Sequence, residues 1–295
     1  MKLEIFSNAK INIGLNIEEK LENGYHNLDM TMLPINLSDK MNIEFFEKKG
    51  KLKIFVNNPK VPTDEKNILS KVYNKFYELA GLEPEEIEIY LDKKIPLEAG
   101  LGGGSSNGGF FLKELNKFHK MIFTDEELME KFKNIGADIP FFIKNKSCRA
   151  RGIGEKLDFF QNNLDVSLLL IKPEFGVSTV EAFINYEKEN LKKSIKDEKK
   201  LKKSNISQII KGIEENKMYI VVTNIENQLE QALLINNPQI QEFRKKIMDL
   251  THHNFFMSGS GSCYYLLIKN AEIKEVEAEL KIKLPKCDFY ICDFL

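Results

Sequence analysis

The sequence predicts a protein of mixed α and β structure, on three observations. Segments with an apolar residue at every second position are interspersed with segments whose apolar residues recur at helical spacing. Residues 95–109 hold six of the chain's seventeen glycines, all within the ten positions 100–109. They stand between a strand pattern (Ile87, Ile89, Leu91) and a helix pattern (Phe111, Leu115, Phe118). Finally, 295 residues with 42% hydrophobic and 29% charged content suffice for one large or two medium compact domains.

Along the chain, Ile11, Ile13, Leu15 and Ile17 face one way, while Lys10, Asn12, Gly14 and Asn16 face the other. That alternation predicts a half-buried strand over residues 10–17. Asn23-Gly24 signals a turn, and Tyr25 and His26 just beyond it stand where side chains can be offered to a ligand. Strands are expected at 41–46 and 52–56, then a helix over 67–79 with Leu69, Val72, Phe76 and Leu79 on one face and Gly81 as its stop.

In the glycine stretch, Ser105 or Ser106 is the expected N-cap of the helix that follows. Gly108 and Gly109 are each about 1 kcal/mol worse than alanine in a helix. Close approach of another backbone or of a phosphate would compensate. Thr124 to Glu127 is a capping box for a helix to Ile135, ended by Gly136. Asp138 then precedes the apolar run Ile139-Pro140-Phe141-Phe142-Ile143. A carboxylate there is costly to bury unless paired. A helix cap is its plain structural reading, and Lys10 is the partner to test. Unit charges ~4 Å apart interact by roughly 4 kcal/mol at an effective dielectric of 20.

Residues 149–155 close the first half, and the polar segment 159–165 marks a domain boundary, giving domains 1–160 and 161–295. A buried strand over 166–171 ends before Pro173, and a helix over 179–186 carries Phe183. The lysine-dense segment 188–203 is interleaved with acids and reads as solvated surface. Asn237-Pro238 opens another helix. Residues 257–262 form a second glycine/serine loop, followed by a strand over 263–268, a helix over 271–280 and a strand over 288–292.

A net charge of −1 gives no global pull toward nucleic acid or membrane. No segment resembles a signal peptide, and no apolar run approaches 18 residues. The four cysteines lack CxxC spacing, which points to free thiols in a reducing cytosol. Cys287 and Cys292 have no partners at metal-ligand spacing.

Glycines leading into a helix N-terminus suit a polyphosphate, because they bring unpaired N–H groups and a partial positive charge close to it. The glycines run into Ser-Ser-Asn rather than the Gly-Lys-Ser/Thr of a Walker loop. Ser105 stands where a dinucleotide fingerprint needs glycine. The second loop (Ser258, Gly259, Ser260, Gly261) is not a nucleophile elbow. It reads as a backbone N–H lid over phosphates or as a bare turn.

These stretches, in this order, resemble the GHMP kinase superfamily. The matching residues are 9–12, Gly24-Tyr25-His26, Pro96 to Asn107, Gly136 to Phe142, 152–155 and Met257 to Gly261. The resemblance implies an α+β, two-domain architecture. Its N-terminal βαβ-type domain carries the glycine-loop helix and a left-handed crossover, its C-terminal domain is ferredoxin-like, and the active site lies between them.

It also implies an ATP- and Mg2+-dependent kinase of a small alcohol bearing a cytidine diphosphate group, with no nucleic-acid or membrane partner, as a monomer or homodimer. Lys10 and Asp138 would be catalytic, and Asn12 would position the substrate. Pro96, Gly100, Leu101, Gly102, Gly103, Gly104, Ser105 and Ser106 would cradle the phosphates, with Ser105 or Ser106 near the metal. Tyr25 and Phe183 would sandwich the cytosine with His26 on its polar edge, and Asn67 and Lys93 would lie near the adenine.

Three positions depart from the family pattern. Asn8 replaces a proline, Leu21-Glu22-Asn23-Gly24 stands where Arg-x-Asp-Gly is usual, and Asn107 holds a place often given to Asp. The rival readings are a kinase of another alcohol, such as homoserine or mevalonate, and a non-catalytic binding module.

Overall fold

A computed structural model describes residues 1–22, 24–196 and 201–295. Asn23 of the expected turn and residues 197–200 of the lysine-dense segment lie outside the described residues. The chain forms two compact units, Met1–Ala9 with Leu37–Pro96 and Gly102–Lys146, and Lys10–Asn36 with Leu97–Leu101 and Ser147–Leu295. This division does not follow a single cut at 160/161. Two long paired strands, β1 (Lys2–Lys20) and β2 (His26–Lys49), each contribute residues to both units.

In the first unit, β3 (Leu52–Val56), α1 (Ile68–Ala80) and β4 (Glu85–Asp92) form a βαβ element whose two strands pair in parallel, Leu52 opposite Ile87 and Val56 opposite Leu91. The later half of β2 pairs antiparallel with β4, from Lys40 opposite Asp92 to Phe45 opposite Ile87. Period-two alternation turns Met41, Ile43, Phe45, Ile87, Ile89 and Leu91 onto the core, where Leu69, Val72 and Phe76 of α1 meet them. As expected, Gly81 ends α1 in the left-handed region at φ +64°, while Asn67 is its N-cap rather than its first residue.

Three helices complete the unit: α2 (Gly103–Phe118), α3 (Asp125–Phe132) and α4 (Ile139–Lys144). The Thr124–Glu127 capping box is present, although α3 stops at Phe132 rather than Ile135. The glycines of α2 are explained by helix packing. A Cβ on Gly108 would sit 2.6 Å from Ile68 Cγ2, and one on Gly109 would sit 2.9 Å from Phe142 Cβ. Close contact with α1 and α4 therefore offsets the weak helix propensity of both residues.

In the second unit, β5 (Cys148–Gly152) pairs with the start of β2, and β6 (Lys156–Phe159) pairs with β5. Strand β7 (Ser167–Lys172) is buried throughout. The helices α5 (Thr179–Lys196), α6 (Ile206–Glu214), α7 (Met218–Asn224), α8 (Gln228–Asn236) and α9 (Pro238–Leu250) follow. The chain ends with β8 (Phe256–Met257), β9 (Tyr264–Ile268), α10 (Ile273–Lys283) and β10 (Asp288–Cys292).

The four-stranded antiparallel sheet has the order β10-β7-β9-β8. With helices between β7 and β8 and again between β9 and β10, this is the ferredoxin-like arrangement. The fold is α+β.

The expectation of a half-buried strand at residues 10–17 is corrected, because every residue there is buried. Its polar face is covered within the second unit. Asn16 Nδ2 donates to Ser204 O at 3.0 Å, and a Cβ on Gly14 would lie 2.8 Å from Ile209 Cδ1 and from Ser204 Oγ. Among the described residues, no helix is long and apolar enough to cross a membrane.

Candidate active site

The glycine stretch is shared between the two units, residues 97–101 with the second and 102–109 with the first. In the first unit, the cap of α2 is Gly102 in the left-handed region at φ +71°, and no side chain caps this helix. The expected serine cap is thus corrected. Ser106 lies inside the first turns with Oγ donating to Asn8 O at 2.6 Å, so the fold already uses its hydroxyl. Ser105 Oγ instead lies against Gly136, 2.7 Å from where a Cβ would stand. The first turn carries no acidic side chain, so an anion meets the helix end without repulsion from within it.

Beneath this helix start lies a buried polar network that sequence reasoning missed. Asp39 is fully buried and ion-paired with Lys93 Nζ, whose side chain is 4% exposed. Asp39 Oδ1 accepts from Lys94 N (2.7 Å) and Ile95 N (2.8 Å), and Oδ2 from Asn107 Nδ2 (2.9 Å). Asn107 also accepts from Lys93 Nζ at 3.1 Å and donates to Ser7 Oγ at 2.7 Å. Half-buried Pro96 follows directly, so the network anchors the entry to the glycine stretch. A Cβ on Gly103 would stand 3.2 Å from Lys93 Nζ.

Asp39→Asn leaves the Lys93 ammonium buried beside a neutral amide, a loss expected to cost about 3–5 kcal/mol. Denaturant unfolding should show it, and adding Lys93→Met should recover a large part of it. An unchanged midpoint in Asp39→Asn would refute this account.

Of the two residues expected near adenine, Asn67 caps α1 by accepting from Leu69 N (2.9 Å) and donates to Pro62 O (2.6 Å). Lys93 belongs to the network just described. An adenine contact from either would have to share or displace these bonds. Asp138 occupies the N-cap position of α4, with φ −88° and ψ −3°, but its side chain makes no capping hydrogen bond. The half-buried carboxylate is therefore not a helix cap, while Ile139 to Ile143 behind it are all buried.

In the second unit, Lys10 and Asn12 are 5% and 2% exposed. Lys10 Nζ donates to Asn12 Oδ1 and, at 2.9 Å, to Gly100 O, while Lys10 N donates to Leu101 O at 3.1 Å. The second loop reaches the same place. Ser258 Oγ donates to Gly100 O (3.0 Å) and accepts from Asn12 N (3.3 Å). Gly100 and Gly259 are both left-handed, at φ +71° and +54°. A Cβ on Gly100 would fall 2.0 Å from Ser258 O, and one on Gly259 would fall 2.9 Å from Asn12 Oδ1 and 3.4 Å from Lys10 Nζ. Only glycine fits at Gly100, where a Cβ would run into backbone, and the left-handed φ favours glycine at Gly259. Ser260 hydrogen-bonds Thr179 through the two hydroxyls at 3.1 Å, and Gly261 N donates to Ser258 O. The structure thus brings together Lys10, Asn12, Gly100, Leu101, Ser258 and Gly259.

A third group stands on β2 and α5. His26 is 8% exposed and stacks on Phe183, with ring centroids 4.9 Å apart and planes 18° apart. Its Nε2 lies 3.4 Å from Glu187. Burial pulls the imidazole below its usual range against the opposing pull of Glu187, so the neutral ring prevails at neutral pH. Tyr25 is 55% exposed. Phe183 therefore already has one ring stacked upon it.

Sequence reasoning also missed Asn227, although Asn227-Gln228-Leu229-Glu230 has the capping-box spacing that marks a helix start. Asp39 sits in a long strand and carries no such signal.

Residues 67–146 match the GHMP kinases N terminal domain, and residues 198–286 match the GHMP kinases C terminal domain. A 4-diphosphocytidyl-2-C-methyl-D-erythritol kinase of Fusobacterium nucleatum subsp. nucleatum is 45% identical over 99% of this chain and 97% of its own. One of the same name from Persephonella marina is 35% identical, over 92% and 93%. Among solved structures, a 4-(cytidine 5'-diphospho)-2C-methyl-D-erythritol kinase superposes with a TM-score of 0.76 at 25% identity, covering 98% of this chain and 99% of that one. A homoserine kinase from Cytophaga hutchinsonii, 17% identical with a TM-score of 0.72 over 99% and 95%, shares the fold. With both domain matches and relatives of this identity along nearly its whole length, the chain belongs to the GHMP kinase family, in its 4-diphosphocytidyl-2-C-methyl-D-erythritol kinase branch.

Proposed function

We propose that this protein transfers the γ-phosphoryl group of ATP to the 2-hydroxyl of 4-diphosphocytidyl-2-C-methyl-D-erythritol, a step of non-mevalonate isoprenoid precursor biosynthesis in a reducing cytosol. The observation that carries the chemistry is the Lys10 ammonium seated on the Gly100 carbonyl, where the first strand, the glycine stretch and the second loop join. The identity of the alcohol rests on the relatives.

Phosphoryl transfer passes through a loose transition state with charge on the equatorial oxygens, so the protein's task is positioning and electrostatic stabilisation. Backbone N–H groups of residues 100–105, the uncapped end of α2 and the Lys10 ammonium supply positive potential to the triphosphate. Asp138 orients the substrate hydroxyl and accepts its proton late, as the new P–O bond forms. Asn12 helps to position the substrate.

Ser105 and Asp138 offer hydroxyl and carboxylate oxygens of the hard type that Mg2+ takes, and an ion carried on phosphates needs only one or two protein oxygens. Among the described residues, no group of three or more His, Cys, Asp or Glu could hold a metal ion. When bound, Mg2+ neutralises charge on the β- and γ-phosphates.

Tyr25, His26 and Phe183 hold the cytosine. Tyr25→Ala is expected to raise the KM for the cytidine-bearing substrate about tenfold with kcat retained, since base–aromatic stacking contributes roughly 1–3 kcal/mol. An unchanged KM would place the base elsewhere. The function itself is tested by ADP release from MgATP with 4-diphosphocytidyl-2-C-methyl-D-erythritol, homoserine or mevalonate. Release with either of the latter two but not the first would overturn the reading.

A further inference from the structure

We infer that Asn227 is a positioning residue for the phosphate loop at Met257 to Gly261, an inference that rests on the phosphate-binding reading of that loop. Asn227 is 5% exposed and immediately precedes α8. Its amide is divided between two duties. Oδ1 accepts from Leu229 N at 3.0 Å and Glu230 N at 3.3 Å, which caps the helix. Nδ2 donates to Met257 O at 3.0 Å and to Gly259 O at 2.8 Å, which grips the loop on both sides of Ser258. Glu230, one turn along α8, adds a third tie by accepting from Met257 N at 3.3 Å.

The direction of this grip matters. A trans peptide aims its N–H opposite to its C=O, so tying Gly259 O to Asn227 turns Ser260 N–H away from α8. Gly259 and Gly261, at φ +54° and +83°, give the loop a backbone that loses much conformational freedom on ordering. Asn227 supplies fixed donors against that loss. Ser258, between the two gripped carbonyls, meets Gly100 O, which also accepts from Lys10 Nζ. The helix start, the second loop and the catalytic lysine thus form one chain of hydrogen bonds within the second unit.

The two duties can be separated, because serine and aspartate cap helices about as well as asparagine but carry no amide donor. Asn227→Ser and Asn227→Asp are compared with Asn205→Asp, which alters the cap of α6 (Asn205 Oδ1 accepts from Gln208 N at 3.2 Å). In folded Asn227→Ser and Asn227→Asp, the KM for ATP and the dissociation constant for ADP should each rise about tenfold or more, the size expected from two lost hydrogen bonds. Affinity for cytidine diphosphate should stay at the parental value, and Asn205→Asp should match the parent throughout.

If only one of the two variants folds, it carries the test. Parental ATP and ADP values in a folded variant would overturn the inference. So would equal weakening of ADP and cytidine diphosphate, or failure of both variants to fold, since Asn227 would then act only by holding α8. A parent protein that binds neither MgATP nor ADP would overturn the phosphate reading itself, a result distinct from all of these.

Discussion

Asp138→Ala is expected to lower kcat by about a hundred- to ten-thousandfold, the range for loss of a positioned acid or base, while the protein stays folded and binds ADP. The first half follows from the proposed mechanism, and the structure gives the reason for the second. The Asp138 side chain does not cap α4, whose start is defined instead by Pro140 and by Ile139 N donating to Gly136 O at 2.9 Å. Its removal therefore takes away little of the helix. Stopped assays of ADP release with 4-diphosphocytidyl-2-C-methyl-D-erythritol, alongside thermal unfolding, check the expectation. A purified, folded variant with near-parental turnover would remove Asp138 from the chemistry.

Lys10→Ala is expected to cost about a hundred- to a thousandfold in kcat, the usual effect of removing one preorganised donor to developing charge. Its ammonium donates to Gly100 O and Asn12 Oδ1, so the variant also removes a donor from each, although Gly100 O keeps Ser258 Oγ. Lys10→Met keeps most of the buried stem, so it separates lost packing from lost charge. Equal losses in the two variants would assign the effect to the charge. If Lys10 and Asp138 serve one step, the double variant should be scarcely slower than the worse single variant. Losses that multiply would show that they act independently. Either result can be read from kcat alone, because ADP binding reports separately on the phosphate cradle.

Local periodicity carried a large part of the fold. The helix over 67–79 with its Gly81 stop, the strand over 288–292 and the Asn237-Pro238 helix start all stand where the sequence places them, within a residue. Each is specified by interactions within a few residues. Helix α6 is equally legible, since Ile206, Ile209 and Ile213 recur at helical spacing just beyond the lysine-dense segment. The cap of α2 was misplaced because serine is the commoner cap. Here the left-handed turn at Gly102 and the pull of Asn8 O on Ser106 decide otherwise.

By itself, then, the sequence determined most of the elements and the two glycine-rich loops, because helix and strand periods and backbone permissiveness are local properties. Tertiary structure alone decided that the polar face of residues 10–17 is buried and that Gly100 must admit Ser258. It also set Lys93 and Asp39 beneath α2 and gave Asn227 its hold on the second loop. These features arise from contacts across long stretches of chain. A polar residue in a strand or at a helix start looks the same in sequence whether water or a distant backbone carbonyl becomes its partner.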